Sequence, residues 1–73
     1  MEQPKMHPVN SSNVAYLGYD KDNQIVYVRF LNQSLYIYRN VPETEYEALD
    51  NAPSIGSYLH RNFKNVYPYE RIE

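Results

Sequence analysis

The chain of 73 residues has no cysteine and no tryptophan, and it has only two glycines. Without cysteine it forms neither disulfides nor thiolate metal sites, which excludes the cross-linked class of small secreted domains. No uninterrupted apolar run exceeds four residues, whereas a helix that spans a bilayer needs about 20. The N-terminus lacks a hydrophobic region and carries Glu2, so we expect no signal peptide, no membrane partner and a cytoplasmic protein.

Neither sign of charge dominates the composition. Seven Lys and Arg residues stand against nine Asp and Glu residues, which gives a net charge of -2. This balance argues against a polyphosphate as the dominant partner but leaves room for a local basic patch. The chain is 42% apolar and includes nine tyrosines, which suits one small globular domain. Because such a domain buries only about 60% of its unfolded surface, we expect no internal active site and no small-molecule substrate.

Three segments rich in β-branched and aromatic residues predict β-strands, at 14–20, 24–31 and 34–39. The breaks between them are short enough for hairpins, so we expect a three-stranded antiparallel meander. Residues 1–8 contain two prolines and little apolar content, and we expect a flexible lead-in there. The single domain is then expected over residues 9–72.

Two helices are expected after the strands. Residues 43–49 hold good helix formers with acids in the first turn, where the helix dipole favours them, and this helix should end near Asn51. Ser54 is placed to cap a second helix from Ile55 to about Lys64. Its apolar stripe consists of Ile55, Leu59 and Phe63. The predicted fold is α+β, a three-stranded antiparallel β-meander packed against two C-terminal α-helices, followed by an extended tail.

Arg29 and Arg39 orient the predicted sheet, because a charged head group is costly to bury. The inner face, which packs on the helices, is expected to carry Leu17, Tyr19, Val26, Val28, Phe30, Tyr36 and Tyr38. The outer face carries Tyr16, Ile25, Tyr27, Arg29, Leu31, Leu35, Ile37 and Arg39. This outer face is unusually apolar for a sheet face left in water, so it is a candidate interface for a protein partner or a homodimer.

The second helix carries a candidate phosphate site. Ser54, Gly56 and Ser57 lie at its N-terminus, where free backbone N–H groups favour an anion. The alternative, which we favour, is that Ser54 only caps the helix and Gly56 lets its first turn pack against the first helix. The basic residues that follow, with no acid between Pro53 and Tyr69, are His60, Arg61 and Lys64. They either attract a phosphate backbone or pair with the acids of the first helix.

Little in the sequence supports catalysis. The two histidines, His7 and His60, are far apart and neither is expected beside an activated hydroxyl, so we expect no enzyme, no metal site and no cofactor. The acids at 43–50 fit a solvated helix face. Tyr36 and Tyr38 are assigned to the core rather than to base stacking, whereas Tyr67 and Tyr69 of the tail are candidates to stack on a base.

Several strings of residues resemble the KTSC family over residues 9–72. They are Ser11-Ser12-Asn13-Val14, Gly18-Tyr19-Asp20, Tyr36-Ile37-Tyr38, Val41-Pro42, Ala52-Pro53-Ser54-Ile55-Gly56-Ser57-Tyr58 and Tyr67-Pro68-Tyr69-Glu70-Arg71-Ile72. The resemblance implies a short domain found at the C-terminus of some lysyl-tRNA synthetases and as free-standing small proteins of bacteria and phages. It implies a suggested RNA-binding role and no catalytic residues. One departure is Asn32-Gln33-Ser34, where family members often have glycine. Asn32 can occupy a positive-φ turn position, so we expect the hairpin to form and leave its turn type open.

Two functions therefore remain open, both of them for a non-enzymatic binding module. In the first, the domain binds RNA through the second helix and the tail, with the candidate residues Ser54, Gly56, Ser57, His60, Arg61, Lys64, Tyr67 and Tyr69. In the second, the domain contacts a protein or a second copy of itself through Tyr16, Ile25, Tyr27, Arg29, Leu35, Ile37 and Arg39.

Overall fold

The computed structural model describes residues 4–73. Its elements in chain order are β1 (His7–Pro8), β2 (Val14–Asp20), β3 (Ile25–Phe30), β4 (Leu35–Tyr38), α1 (Glu43–Asp50), α2 (Ile55–Tyr58, continued by a π-helical turn, Leu59–Phe63) and β5 (Tyr69–Arg71). The strands form one antiparallel sheet in the order β1-β2-β3-β4-β5. The predicted α+β class, central meander and two helices are confirmed, whereas the predicted number of three strands is wrong. No helix within residues 4–73 is long and apolar enough to cross a membrane.

The two strands that the sequence did not predict lie at the edges of the sheet. β1 is two residues long and β5 is three, too short for an alternating pattern to reveal them. They occupy the hydrogen-bonding edges that β2 and β4 would otherwise leave unpaired. Beyond β5 itself, the Arg39 N–H donates to Pro68 O at 2.9 Å and the Ile72 N–H donates to Leu35 O at 2.8 Å. The predicted tail is therefore a strand with its flanking residues.

The segment predicted as a lead-in is joined to the domain by its last residues. His7 Nε2 lies 2.7 Å from Asp50 Oδ1 on α1, which links β1 to the helical layer. A Cβ built at Gly18 would lie 2.5 Å from Met6 Sδ and 3.2 Å from Lys5 O, so only glycine allows this approach without displacement. Residues 1–3 of the predicted lead-in lie outside the described range.

Both hairpin turns of the meander use a glutamine in the left-handed region. Gln24 has φ 56° and Gln33 has φ 78°. The second hairpin forms as expected, and Gln33 takes the positive-φ position for which Asn32 was suited. Instead, Asn32 Oδ1 accepts hydrogen bonds from the backbone N–H and the hydroxyl of Ser34, at 3.0 and 2.6 Å. The side chain of Asn32 thus closes the turn, and the next residue makes the bend.

The core lies between the inner face of the sheet and the two helices. Its buried members are Val14, Leu17, Val26, Val28, Tyr38, Val41, Leu49, Ile55, Leu59 and Phe63. The predicted face assignment agrees with the register, because Val26 is opposite Tyr38 and Val28 is opposite Tyr36. The Lys64 N–H donates to Leu59 O at 2.9 Å, five residues back, which is the wider turn of a π-helix. The stripe of Ile55, Leu59 and Phe63 is buried, as predicted.

Candidate nucleic-acid interface

A groove of about 260 Å³ lies between α2 and the inner face of β3, β4 and β5. We call it the aromatic groove; its lining residues are Phe30, Tyr36, Tyr38, Leu59, His60, Lys64 and Tyr69. The period-two alternation of β4 directs Tyr36 and Tyr38 to the inner face, and Tyr69 lies opposite Tyr38 on β5. The π-helical turn contributes the other side. Aromatic surface and basic groups therefore meet in one concave site.

The rings of the aromatic groove lie close together but do not close it. The ring centroid of Tyr69 lies 5.7 Å from that of Tyr38 and 6.2 Å from that of Tyr36, and the ring planes are tilted by 33° and 35°. Phe30 meets Tyr36 edge-on at 5.4 Å. Tyr69 is 51% exposed, so one of its surfaces is available to a ligand. Burial, with the neighbouring Tyr69 and Tyr36, raises the pKa of Tyr38 to about 12.

The basic residues on and just after α2, which are His60, Arg61 and Lys64, are exposed and have no acidic partner in the described part of the chain. Within residues 4–73, the ion pairs of the other basic side chains are Lys21–Glu43, Arg29–Glu73, Arg39–Glu70 and His7–Asp50. None of the described acids pairs with His60, Arg61 or Lys64. The sequence left open whether the bases of α2 form ion pairs with the acids of α1. The described part of the chain contains no such ion pair. The positive charge of α2 faces solvent.

A second depression continues from the aromatic groove along α2. We call it the polar hollow; it has a volume of about 490 Å³ and is lined by Ser12, Asn13, Ser54, Gly56, Ser57, His60 and Arg61. Ser54 Oγ accepts a hydrogen bond from the Ser57 N–H at 3.3 Å, so Ser54 caps the helix, as favoured from the sequence. A Cβ at Gly56 would lie 3.2 Å from Asn13 Nδ2, so Gly56 makes room for the Asn13 side chain just before β2. The sequence had suggested that Gly56 makes room for α1 instead. His60 borders both sites.

The architecture around these sites matches a known family. The KTSC domain model matches residues 10–67. The chain belongs to the KTSC domain family. The resemblance drawn from the sequence is thereby confirmed.

Relatives of this KTSC domain include both long and short proteins. It is 39% identical to a lysine–tRNA ligase of Nostoc sp. over 69 residues, which are 94% of this chain but 12% of the ligase. It is also 39% identical to an uncharacterised protein of Stutzerimonas stutzeri, with 89% of this chain and 93% of that protein covered. A crystal structure of a KTSC domain protein from Yersinia pestis has a TM-score of 0.91 and 30% identity, covering 97% of this chain and all of the other. The chain thus spans about an eighth of the length of the ligases it matches.

The structure distributes the predicted RNA-contacting residues over three places. His60, Lys64 and Tyr69 line the aromatic groove, and Ser54, Gly56, Ser57 and Arg61 line the polar hollow, with His60 shared. Tyr67 lies apart from both, packed 5.1 Å from Phe63 and half-buried, and its pKa is raised by burial and by Glu45. Sequence reasoning missed Phe30, Tyr36, Tyr38, Ser12 and Asn13 as lining residues. The sequence assigned Tyr36 and Tyr38 to the core, where both rings pack, but it did not show that these rings also border an open groove.

The outer face of the KTSC domain is less open than the sequence predicted. Leu35 is fully buried and Ile37 is 6% exposed, which contradicts their prediction as exposed interface residues. The reason is β5, which the sequence did not reveal: Glu70 lies opposite Ile37 and pairs with Arg39 at 3.0 Å, while Glu73 pairs with Arg29 at 2.7 Å. Of the predicted interface, Tyr16 is 45% exposed, Arg39 is exposed, and Ile25, Tyr27 and Arg29 are half-buried.

Proposed function

We propose that this KTSC domain is a non-enzymatic RNA-binding module that contacts phosphates with the basic residues of α2. One observation carries the proposal: aromatic rings and basic groups line the same groove, with Tyr69, Lys64 and His60 among its residues and no described acid paired with the bases. Single-stranded RNA is bound by this combination, in which rings stack on bases and cations attract the backbone. Its relatives include lysine–tRNA ligases, which supports a role beside tRNA.

The net charge of -2 does not oppose this function, because the charges are segregated. Of the acids of α1, Glu43 pairs with Lys21 and Asp50 with His7, whereas Glu45 accepts a hydrogen bond from the Tyr58 hydroxyl of α2 at 2.8 Å. Residues 54–68 contain no acid. A phosphate backbone at α2 therefore meets a local positive potential, and binding should depend strongly on salt.

A non-enzymatic role fits the surroundings of the hydroxyl groups. Ser11 Oγ accepts hydrogen bonds from the Asn13 and Val14 N–H groups at 3.2 Å, and Ser54 caps α2. Within residues 4–73, neither histidine forms a hydrogen bond with a serine or threonine hydroxyl, which a nucleophilic mechanism requires. The KTSC domain is also not a known catalytic domain.

Charge reversal on α2 tests the proposal. We expect Arg61→Glu and Lys64→Glu to weaken binding of bulk tRNA and of a short single-stranded RNA, measured by fluorescence anisotropy at low and near-physiological salt. Lys5→Glu is the matched control, because it changes the net charge equally on an exposed lysine at the opposite edge of the sheet. Equal losses from Lys5→Glu and Lys64→Glu would show that only the net charge matters. Absence of binding to either RNA at low salt would also overturn the proposal.

A second candidate function, contact with a protein partner or a second copy, is favoured by the 45% exposure of Tyr16 on the outer face. Tyr27, half-buried on the neighbouring strand, belongs to the same surface. If the chain forms a homodimer there, Tyr27→Glu should release folded monomer in sedimentation experiments. If the unmodified protein is already monomeric at high concentration, the homodimer is excluded.

A further inference from the structure

We infer that the aromatic groove binds one unpaired nucleotide of a single-stranded RNA, with its base stacked on Tyr69 and its phosphate beside Lys64 and His60. This inference rests on the RNA-binding function proposed above and names the nucleic acid that the site accepts. It also selects Tyr69 over Tyr67 as the stacking residue, because Tyr67 packs on Phe63 at 5.1 Å and does not line the groove.

The size and shape of the groove suit a single planar ring. Its volume of about 260 Å³ is below the range of roughly 300–1,000 Å³ typical of drug-sized ligands. The rings of Tyr36 and Tyr69 are tilted by 35° with their centroids 6.2 Å apart, so no intramolecular stack uses up their surfaces. A duplex keeps its bases stacked inside and presents only backbone and groove edges. A base reaches this site only when it is unpaired.

The polar groups of the groove favour a nucleobase over a purely apolar ligand. Within residues 4–73, the hydroxyls of Tyr36, Tyr38 and Tyr69 form no hydrogen bond, although all three residues line the groove. An apolar occupant would remove water from these hydroxyls without replacing its hydrogen bonds, which is unfavourable. The edge of a base carries both donors and acceptors and can satisfy them.

The charge on the rim fits the phosphate that accompanies the base. Lys64 and His60 line the groove, are exposed and have no acidic partner in the described part of the chain. His60 also borders the polar hollow, where Arg61 and Ser57 lie. A strand whose base occupies the groove would therefore carry its next phosphate along α2 towards Arg61. Phosphate contacts of this kind position the strand, and the stacked base selects an unpaired strand over a duplex.

Fluorescence of 2-aminopurine tests the inference, since this base analogue is quenched when it stacks on an aromatic ring. We expect a short single-stranded RNA containing it to bind with a change in fluorescence, and an unlabelled strand to compete better than the corresponding duplex. Tyr69→Ala should weaken binding about fivefold or more, the loss that corresponds to one base stacked on one ring. Tyr16→Ala, a substitution at a tyrosine of similar exposure on the outer face, should leave binding unchanged.

Tyr69→Leu provides a second variant, because it keeps an apolar side chain on β5 and removes the ring. Amide spectra of both variants establish that they are folded. If RNA binds but the duplex competes as well as the single strand, or if Tyr69→Leu binds normally, the inference fails while the RNA-binding function stands. If neither single-stranded nor duplex RNA binds the unmodified domain, the RNA-binding function itself fails.

Discussion

Two tyrosine clusters lie on the same inner face of the sheet and differ in how they are completed. At the α1 end, Tyr19 stacks on Tyr46 with ring centroids 4.8 Å apart and planes within 9°. The Tyr19 hydroxyl donates to Val41 O at 2.6 Å. Nearby acids contribute to the environment: Asp50 adds to burial in raising the pKa of Tyr46 to about 12. This cluster is closed by its own contacts.

At the α2 end, Tyr36, Tyr38 and Tyr69 are tilted relative to one another and surround the aromatic groove. Their neighbours on α2 are bases instead of acids, and their hydroxyls have no partner within residues 4–73. Tyrosine thus stabilises the fold where, as in Tyr19, the ring and the hydroxyl are both satisfied internally. Where they are not, it leaves a site for a ligand.

The largest expected effect comes from removing the ring that supports the open cluster. Phe63 is fully buried and lies 5.4 Å from Tyr38 and 5.1 Å from Tyr67. Phe63→Ala should lower the free energy of unfolding by about 3–5 kcal/mol, through lost burial and the cavity that remains. Because a small domain has little stability to lose, urea unfolding should show most of the variant unfolded.

Val66→Ala is the control for this experiment, because Val66 is 60% exposed and its truncation should change stability little. A loss below about 1 kcal/mol in Phe63→Ala would show that the α2 end tolerates a cavity. The open cluster would then not depend on the ring beneath it.

A smaller effect is expected at alkaline pH, where both clusters respond. The pKa values of Tyr38 and Tyr46 are raised to about 12 in the folded chain from 10. Between these pH values the unfolded chain binds fewer protons than the folded one, so stability should fall as pH rises from 10 towards 12 and be unaffected by these groups below 10. Urea unfolding across this range measures the decline. Tyr38→Phe and Tyr46→Phe should each make the decrease in stability with pH shallower. An unchanged slope in both variants would show that these two hydroxyls do not cause the decrease.

Much of this fold follows from local sequence patterns. Aromatic and β-branched residues predict the strands β2, β3 and β4. The stripe of Ile55, Leu59 and Phe63 predicts the buried side of α2. The position of the two arginines was enough to assign the sheet faces, because the register between neighbouring strands preserves the alternation.

What the sequence did not reveal depends on contacts between distant segments. β1 and β5 are too short to have a period of their own and form by pairing with strands already in place. The unpredicted strand β5 matters on both faces of the sheet. It places Glu70 opposite Ile37 on the outer face and contributes Tyr69 to the groove on the inner face. Alternation assigns Tyr36 and Tyr38 to a face, but it does not say where the helix covering that face ends.

The smallest expected effects come from removing one hydroxyl at each end, and they compare the clusters most directly. Tyr19→Phe deletes the hydrogen bond to Val41 O, so we expect it to lower the free energy of unfolding by about 1 kcal/mol. Tyr36→Phe deletes a hydroxyl with no partner in residues 4–73, so the free energy of unfolding of this variant should be unchanged. In RNA binding the order should reverse, with Tyr36→Phe weakening the interaction and Tyr19→Phe leaving it intact, because only Tyr36 lines the groove. Urea unfolding and fluorescence anisotropy on the same two variants measure both quantities. If the two variants lose stability equally, the Tyr36 hydroxyl is satisfied within the fold and is not left for a ligand.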